Sequence, residues 1–381
     1  MRFQDIPGPK DLSLALAESI DQSRVPHAQL FISNDGGAGL MTALAYSQYL
    51  NCENVANGDS CGQCFSCIKI QKFIHPDVHY CFPFAKTDLV KEDELAGYMP
   101  LFRSFLAESP YGTIKEWAAK AHFENRTPLI PVRAVRETIL GLTLKAYEAR
   151  YKVQIIWMPE TMNVAGANAI LKLLEEPPPF TVFLLVCPQP ELLLPTIISR
   201  TQMVVIPKLK MTDVAEYLQK SDGVSVSRSL AIASLAEGSI AVAMELLDEK
   251  EDDFHQLFLE WERACFSNKI DKLLEFTDSF QTMGKELQKT FLKYCLGKLR
   301  SAMALKFEAA QTVHLPDNEL TDLGKMGAIF SISLFEQQMH KLEEAYFHID
   351  RNASARMVFF DTSLQIAQSF QIEKHRKLTS A

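Results

Sequence analysis

Ala28-Gln29-Leu30-Phe31-Ile32-Ser33-Asn34-Asp35-Gly36-Gly37-Ala38-Gly39-Leu40-Met41-Thr42-Ala43-Leu44-Ala45 passes from an apolar run through a glycine-rich turn into a small-residue, helix-forming stretch. The spacing predicts a strand over Gln29–Ser33, a turn over Asn34–Gly39 and a helix reaching Leu50. A short apolar strand feeding a helix through such a turn is the unit from which parallel sheets are built.

The same alternation returns downstream. Val153–Met158, VQIIWM, and Thr181–Cys187 are continuous apolar runs of the kind found in strands buried on both faces, and Met203–Ile206 is a shorter one. Val135–Ala149 has helical spacing with Arg136, Glu137, Lys145 and Glu148 on its charged side. Ala165–Leu174 reads as a helix halted by Pro177-Pro178-Pro179. A mainly parallel sheet with helices on both faces follows. Residues from about 85 to 126, with Lys86, Asp88, Lys91, Glu92, Asp93 and Glu94, read as a charged, helix-prone insertion. After Pro207 helical periodicity takes over and strand signals fade.

A chain of 381 residues exceeds one compact core, so two or three domains are expected. Hydrophobic residues at 47% and charged residues at 23% are ordinary for a globular protein. The net charge of −8 weakens a reading in which bulk charge holds DNA. No apolar run approaches the 18 residues of a membrane helix, and the first residues do not read as a signal peptide.

Four of the eight cysteines, Cys52, Cys61, Cys64 and Cys67, fall in one short stretch with the spacing C-x8-C-x2-C-x2-C. Cysteines two residues apart bring both thiolates to one cation, and four sulfurs close a tetrahedral zinc with no position left for water. The expected metal is therefore structural Zn2+. Gly58 and Gly62 supply the backbone freedom of a tight metal loop. Cys81, Cys187, Cys265 and Cys295 lie in apolar contexts and read as core. His75 and His79 are nearby alternatives that a fourth cysteine makes unnecessary.

Laid on the phosphate-loop pattern G-x-x-x-x-G-K-[ST], the turn aligns its second glycine on Gly39. The first glycine then falls on Asn34, the lysine on Leu40 and the magnesium-binding hydroxyl on Met41. Leucine cannot neutralise phosphate and methionine cannot hold magnesium. VQIIWM likewise ends in Trp157, Met158 and Pro159, where a nucleotide-hydrolysing strand ends in an acidic pair, and Glu160 lies further along. The loop at Gly36, Gly37, Gly39, Leu40 and Met41 is expected to be degenerate, with no ATP hydrolysed by this chain.

Asn168-Ala169-Ile170-Leu171-Lys172-Leu173-Leu174-Glu175-Glu176-Pro177-Pro178 resembles the NALLKxLEEPP signature of clamp-loader AAA+ subunits, and Ile198-Ser199-Arg200-Thr201 resembles their S-R-C motif with threonine for cysteine. Pro26-His27-Ala28, His75-Pro76-Asp77 and the position of the cysteine cluster fit the same family. The chain is similar to the bacterial DNA polymerase III clamp loaders, and a zinc cluster, an intact Ser-Arg and a broken ATP site resemble the delta-prime type. The likeness is dense over residues 24–82 and 128–206, and the insertion departs from it.

The resemblance implies an AAA+ α/β domain over 1–207 carrying the zinc module (about 52–67) and the insertion. A small helical lid over 208–252 and a helical collar over 253–381 would follow. It implies Arg200, with Ser199 beside it, as an arginine finger supplied in trans. Val242, within Ala236–Met244, stands where active relatives carry a second sensor arginine. The implied partners are gamma/tau-type ATPase subunits and the delta subunit, with the sliding clamp and primer-template DNA reached through the complex, in the cytoplasm and with no membrane. Glu175 and Glu176 read as a helix end, not an acid–base pair. Two other readings stand beside this one: an active gamma/tau-type ATPase and a zinc-dependent DNA-binding protein.

Overall fold

A computed structural model describes the chain except residues 1, 9, 91–93, 124–125, 144, 249–250, 284, 308–316, 352 and 380–381. Lys91, Glu92 and Asp93 of the charged stretch thus lie outside the described residues. In chain order the elements begin with α1 (Lys10–Asp21), β1 (Ala28–Ile32), α2 (Gly39–Leu50), α3 (Phe65–Gln71) and β2 (Val78–Cys81). Next come α4 (Leu95–Glu108), α5 (Ile114–Lys120), α6 (Val132–Thr143), β3 (Lys152–Trp157), α7 (Val164–Glu175), β4 (Thr181–Cys187), α8 (Pro195–Ile198) and β5 (Gln202–Val205). The remainder is helical: α9 (Met211–Asp222), α10 (Val226–Leu235), α11 (Ile240–Asp248), α12 (Glu251–Ser267), α13 (Ile270–Thr282), α14 (Lys285–Lys306), α15 (Asp317–Ile329), α16 (Ile332–Asp350) and α17 (Ala355–Thr379).

The five strands form one parallel sheet in the order β2-β3-β4-β1-β5. Every residue of β3 and β4 is buried, which requires cover on both faces and explains their unbroken apolar sequences. β5 forms an edge, with Met203 and Val205 exposed. The fold class expected from sequence, a parallel α/β sheet followed by helices, is the one observed.

Local chemistry sets the ends of the elements. Asn163 caps α7 by accepting from Gly166 N–H at 2.8 Å, and the prolines after Glu176 stop that helix. The helix expected over Val135–Ala149 instead spans Val132–Thr143. Residues 147–149 leave it because Tyr147, Glu148 and Ala149 donate their N–H groups to the Asp77 carboxylate at 2.7–2.8 Å. Burial opposes ionisation of Asp77, yet those three donors outweigh it and hold its carboxyl below the usual range.

The chain divides into two compact units, Met1–Ser221 with Ala236–Ala243, and Asp222–Leu235 with Met244–Ala381. The second is a helical assembly around Trp261, whose indole N–H donates to Ser363 Oγ at 3.0 Å. Phe359 stacks on Phe280 with centroids 4.1 Å apart. Glu262 of α12 is buried here, and burial pushes its carboxyl up to about 8 against the pull of the Gln338 amide. Among the described residues no helix is long and apolar enough to cross a membrane.

Candidate functional site

The glycine-rich turn sits at the carboxyl end of β1, where ligands of open parallel sheets gather. α2 starts at Gly39, so close to the sheet that a Cβ there would collide with Ser33 Oγ and press on Val186. Leu40 and Met41 are buried in the first turn of α2. Gly36 N–H donates to Asp35 Oδ1 at 3.0 Å and Gly37 N–H to the Asn34 carbonyl at 3.1 Å. Leu40 and Met41, the residues that the sequence aligns with the lysine and hydroxyl of a phosphate loop, are thus core side chains.

β3 ends beside this turn. Trp157 is buried under Phe102 and Phe105 of α4, each ring centroid 5.8 Å from its own. Met158 takes a left-handed conformation, φ 56°, and the chain then turns through Pro159. Glu160 follows, and burial raises its carboxyl to about 7.

The stretch read as a charged insertion builds an aromatic core of its own. Tyr98, Phe102 and Phe105 recur at the 4-3 spacing of a helix face and are buried with Trp117 and Phe123. Phe82 stacks on Phe102 at 3.8 Å, and the Trp117 indole donates to the Pro83 carbonyl at 2.7 Å. That apolar spacing was present in the sequence, hidden beneath the surrounding charges.

The four cysteines converge. Their sulfurs all lie within 4.8 Å of one another, with Cys61 and Cys67 sulfurs 3.9 Å apart. A tetrahedron with zinc–sulfur bonds of about 2.3 Å has edges of about 3.8 Å, so the spacing fits one zinc. The Cys61 sulfur accepts from Gln63 and Cys64 N–H, Cys52 sulfur from Cys61 N–H, and Cys64 sulfur caps α3 by accepting from Cys67 N–H. The two N–H donors on Cys61 hold its thiol down at about 6, which favours the thiolate a metal needs, whereas burial pushes Cys67 up. Gly58 and Gly62 have φ of 72° and 71°, conformations that admit the chain reversals between ligands.

His75 stays outside this cluster: its Nδ1 accepts from Asp77 N–H at 3.1 Å and its Nε2 lies 3.5 Å from Glu148 Oε1. His79 is likewise absent from the four-sulfur group. The other four cysteines are buried and free.

Ser199 and Arg200 lie just before β5. The register pairs Gln202 with Gln29, which puts Arg200 level with His27 at the amino end of the sheet. The turn at Gly36–Gly39 is at the carboxyl end, a strand length of about 15 Å away. Arg200 therefore cannot serve its own turn. Its Nη2 contacts Glu175 Oε1 at 2.5 Å, and its Nη1 donates to the Thr196 carbonyl at 2.9 Å and Ser199 Oγ at 3.3 Å. His27 Nε2 meets the Leu174 carbonyl at 3.0 Å, so three separate sequence signals share one end of the sheet. Val242 sits half-buried in α11, next to an Ala241 that faces Gly36.

A family model described as DNA polymerase III, delta subunit, matches residues 8–210, just over half of the chain. The chain belongs to this family. It is similar to the DNA polymerase III subunit delta' of Bacillus subtilis, 28% identical over 239 residues that cover 63% of this chain and 58% of that protein. It is also similar to the subunit tau/gamma of Haemophilus influenzae, 25% identical over 283 residues covering 72% of this chain and 34% of that protein. The chain thus spans about a third of the length of that longer relative. Among solved structures, a DNA polymerase III gamma subunit-related protein of Thermotoga maritima aligns over 94% of this chain and 99% of its own, at 14% identity and a TM-score of 0.38.

Proposed function

We propose that the chain works as the delta-prime type of clamp-loader subunit, a non-hydrolysing member of a ring that loads the sliding clamp on primer-template DNA. The observation that carries this reading is an exposed Ser199 beside a partly exposed Arg200 at one end of the sheet, with Leu40, Met41 and Trp157 buried at the other. The chain keeps the group that acts on a neighbour and has lost the groups that act on its own nucleotide.

In this reading Arg200 enters the ATP site of an adjacent gamma/tau-type subunit and stabilises charge on the transferring phosphoryl group. Cys52, Cys61, Cys64 and Cys67 hold a structural zinc that ties the module between α2 and α3. Residues 1–207 form the AAA+ domain, 208–252 a lid, and 253–381 a collar that joins the gamma/tau-type and delta subunits. The work is done in the cytoplasm.

Mixing the chain with gamma/tau-type and delta subunits should yield one complex whose DNA-stimulated ATPase falls when the chain is left out. The isolated chain should turn over no ATP. Turnover by the isolated chain, lost on chromatographic removal of that chain alone, would replace this reading with the gamma/tau-type ATPase.

A further inference from the structure

We infer that the Pro110–Thr113 segment between α4 and α5 fills the cleft above the glycine-rich turn, so that the chain's own insertion closes this site to nucleoside phosphates. The inference takes the turn to be the degenerate nucleotide loop of the proposed function, and it goes further by naming what occupies it.

The space left is the first argument. Between Gly36, Leu40, Tyr111, Trp157 and Met158 only about 20 Å³ remains. That volume admits about one water molecule, whereas pockets for nucleotide-sized ligands measure roughly 300 Å³ or more.

The seating of the segment is the second. Tyr111 is buried and its ring stands edge-on to Tyr217, 5.3 Å away. Gly112 passes so close over Phe105 that a Cβ on it would come within 2.5 Å of the ring. Thr113 Cγ2 lies 3.3 Å from where a Cβ on Gly36 would stand. Both ends of the segment are fixed. Phe102 and Phe105 pack on Trp157 at one side, and a capping box between Thr113 and Glu116 starts α5 at the other.

The polar groups of the turn are the third. An anion at such a turn needs backbone N–H groups aimed outward. Here Gly36 and Gly37 direct theirs to Asp35 and Asn34. The Gly36 carbonyl accepts from Ile240 N–H at 3.0 Å and Ala241 N–H at 3.4 Å, and Ser239 Oγ donates to the Asp35 carbonyl. The first turn of α11 is thus tied directly to the loop by these hydrogen bonds.

Restoring Leu40→Lys and Met41→Thr should therefore not restore binding while Tyr111 stays in place. Fluorescent methylanthraniloyl-ATP with magnesium is titrated into the full chain, the Leu40→Lys/Met41→Thr variant, and that variant with Tyr111→Gly added. Hydrogen exchange of residues 36–41 is followed in the full chain and in Tyr111→Gly alone, each checked for a cooperative melt. We expect no saturable binding by the first two proteins, at least tenfold tighter binding by the third, and at least tenfold faster exchange at 36–41 in Tyr111→Gly. Binding by the full chain or the double variant as tight as by the triple variant overturns the inference, as does Tyr111→Gly leaving both affinity and exchange unchanged. Neither result touches Arg200, so this inference and the trans-arginine reading fail separately.

Discussion

Arg200 Nη2 lies 2.5 Å from Glu175 Oε1, which joins the last residue of α7 to the loop before β5. The guanidinium is a third exposed and the carboxylate about half exposed, so the pair is a surface contact in high dielectric. It orients the arginine without holding the fold. Glu175→Gln should shift the unfolding free energy by less than about 1 kcal/mol, read by urea denaturation. A loss of several kcal/mol would make the pair a structural bridge and leave Arg200 poorly placed to reach a partner.

The cysteine cluster makes a stoichiometric prediction. Elemental analysis of the purified chain should give one zinc per molecule. Cys61→Ser, which removes the sulfur that two N–H groups favour as thiolate, should cut that below about a tenth. Because ligand binding is coupled to ordering of the loop, the same variant should lose protection from proteolysis at 52–67. Zinc retained at full occupancy in the variant would contradict a four-sulfur site.

Glu262 gives the second helical unit a pH dependence. Its carboxyl titrates at about 8 in the folded chain against an ordinary value near 4.5, because burial disfavours the charge. The folded state then binds more protons than the unfolded state between those values, so stability falls as pH rises from about 5 to 8. Glu262→Gln should remove the slope, stabilising the chain on the order of 4 kcal/mol at pH 8.5 and little at pH 5. Equal effects at both pH values in urea melts would show that the carboxyl stays charged.

Gly39 is required by the approach of α2 to the sheet. A methyl group there meets Ser33 Oγ and Val186, so Gly39→Ala should cost roughly 2 kcal/mol or more despite its gain in helix propensity. A variant that melts at or above the parent temperature would mean that the helix can move away without penalty.

Much of this architecture is legible in the sequence because the central strands are buried on both faces. Such strands read as unbroken apolar runs, so β1, β3 and β4 stand out and their limits shift by about one residue. β2 does not stand out: Val78–Cys81 is four residues long, contains His79 and follows a proline, so length and pattern are both too weak. The end of α6 was hidden because an acceptor 70 residues away, Asp77, draws off the N–H groups that would extend it. The cysteines were readable because metal spacing is local. The seat of Tyr111 against the glycine-rich turn was not, since it depends on how two segments far apart in sequence pack.

The most direct test of the central reading is the DNA-stimulated ATPase of a reconstituted clamp loader carrying either this chain or its Arg200→Ala variant. The account predicts full assembly in both and a rate at least tenfold lower with the variant, in the direction of known trans arginines. Full assembly with an unchanged rate would contradict it and reduce the chain's part in the ring to scaffolding.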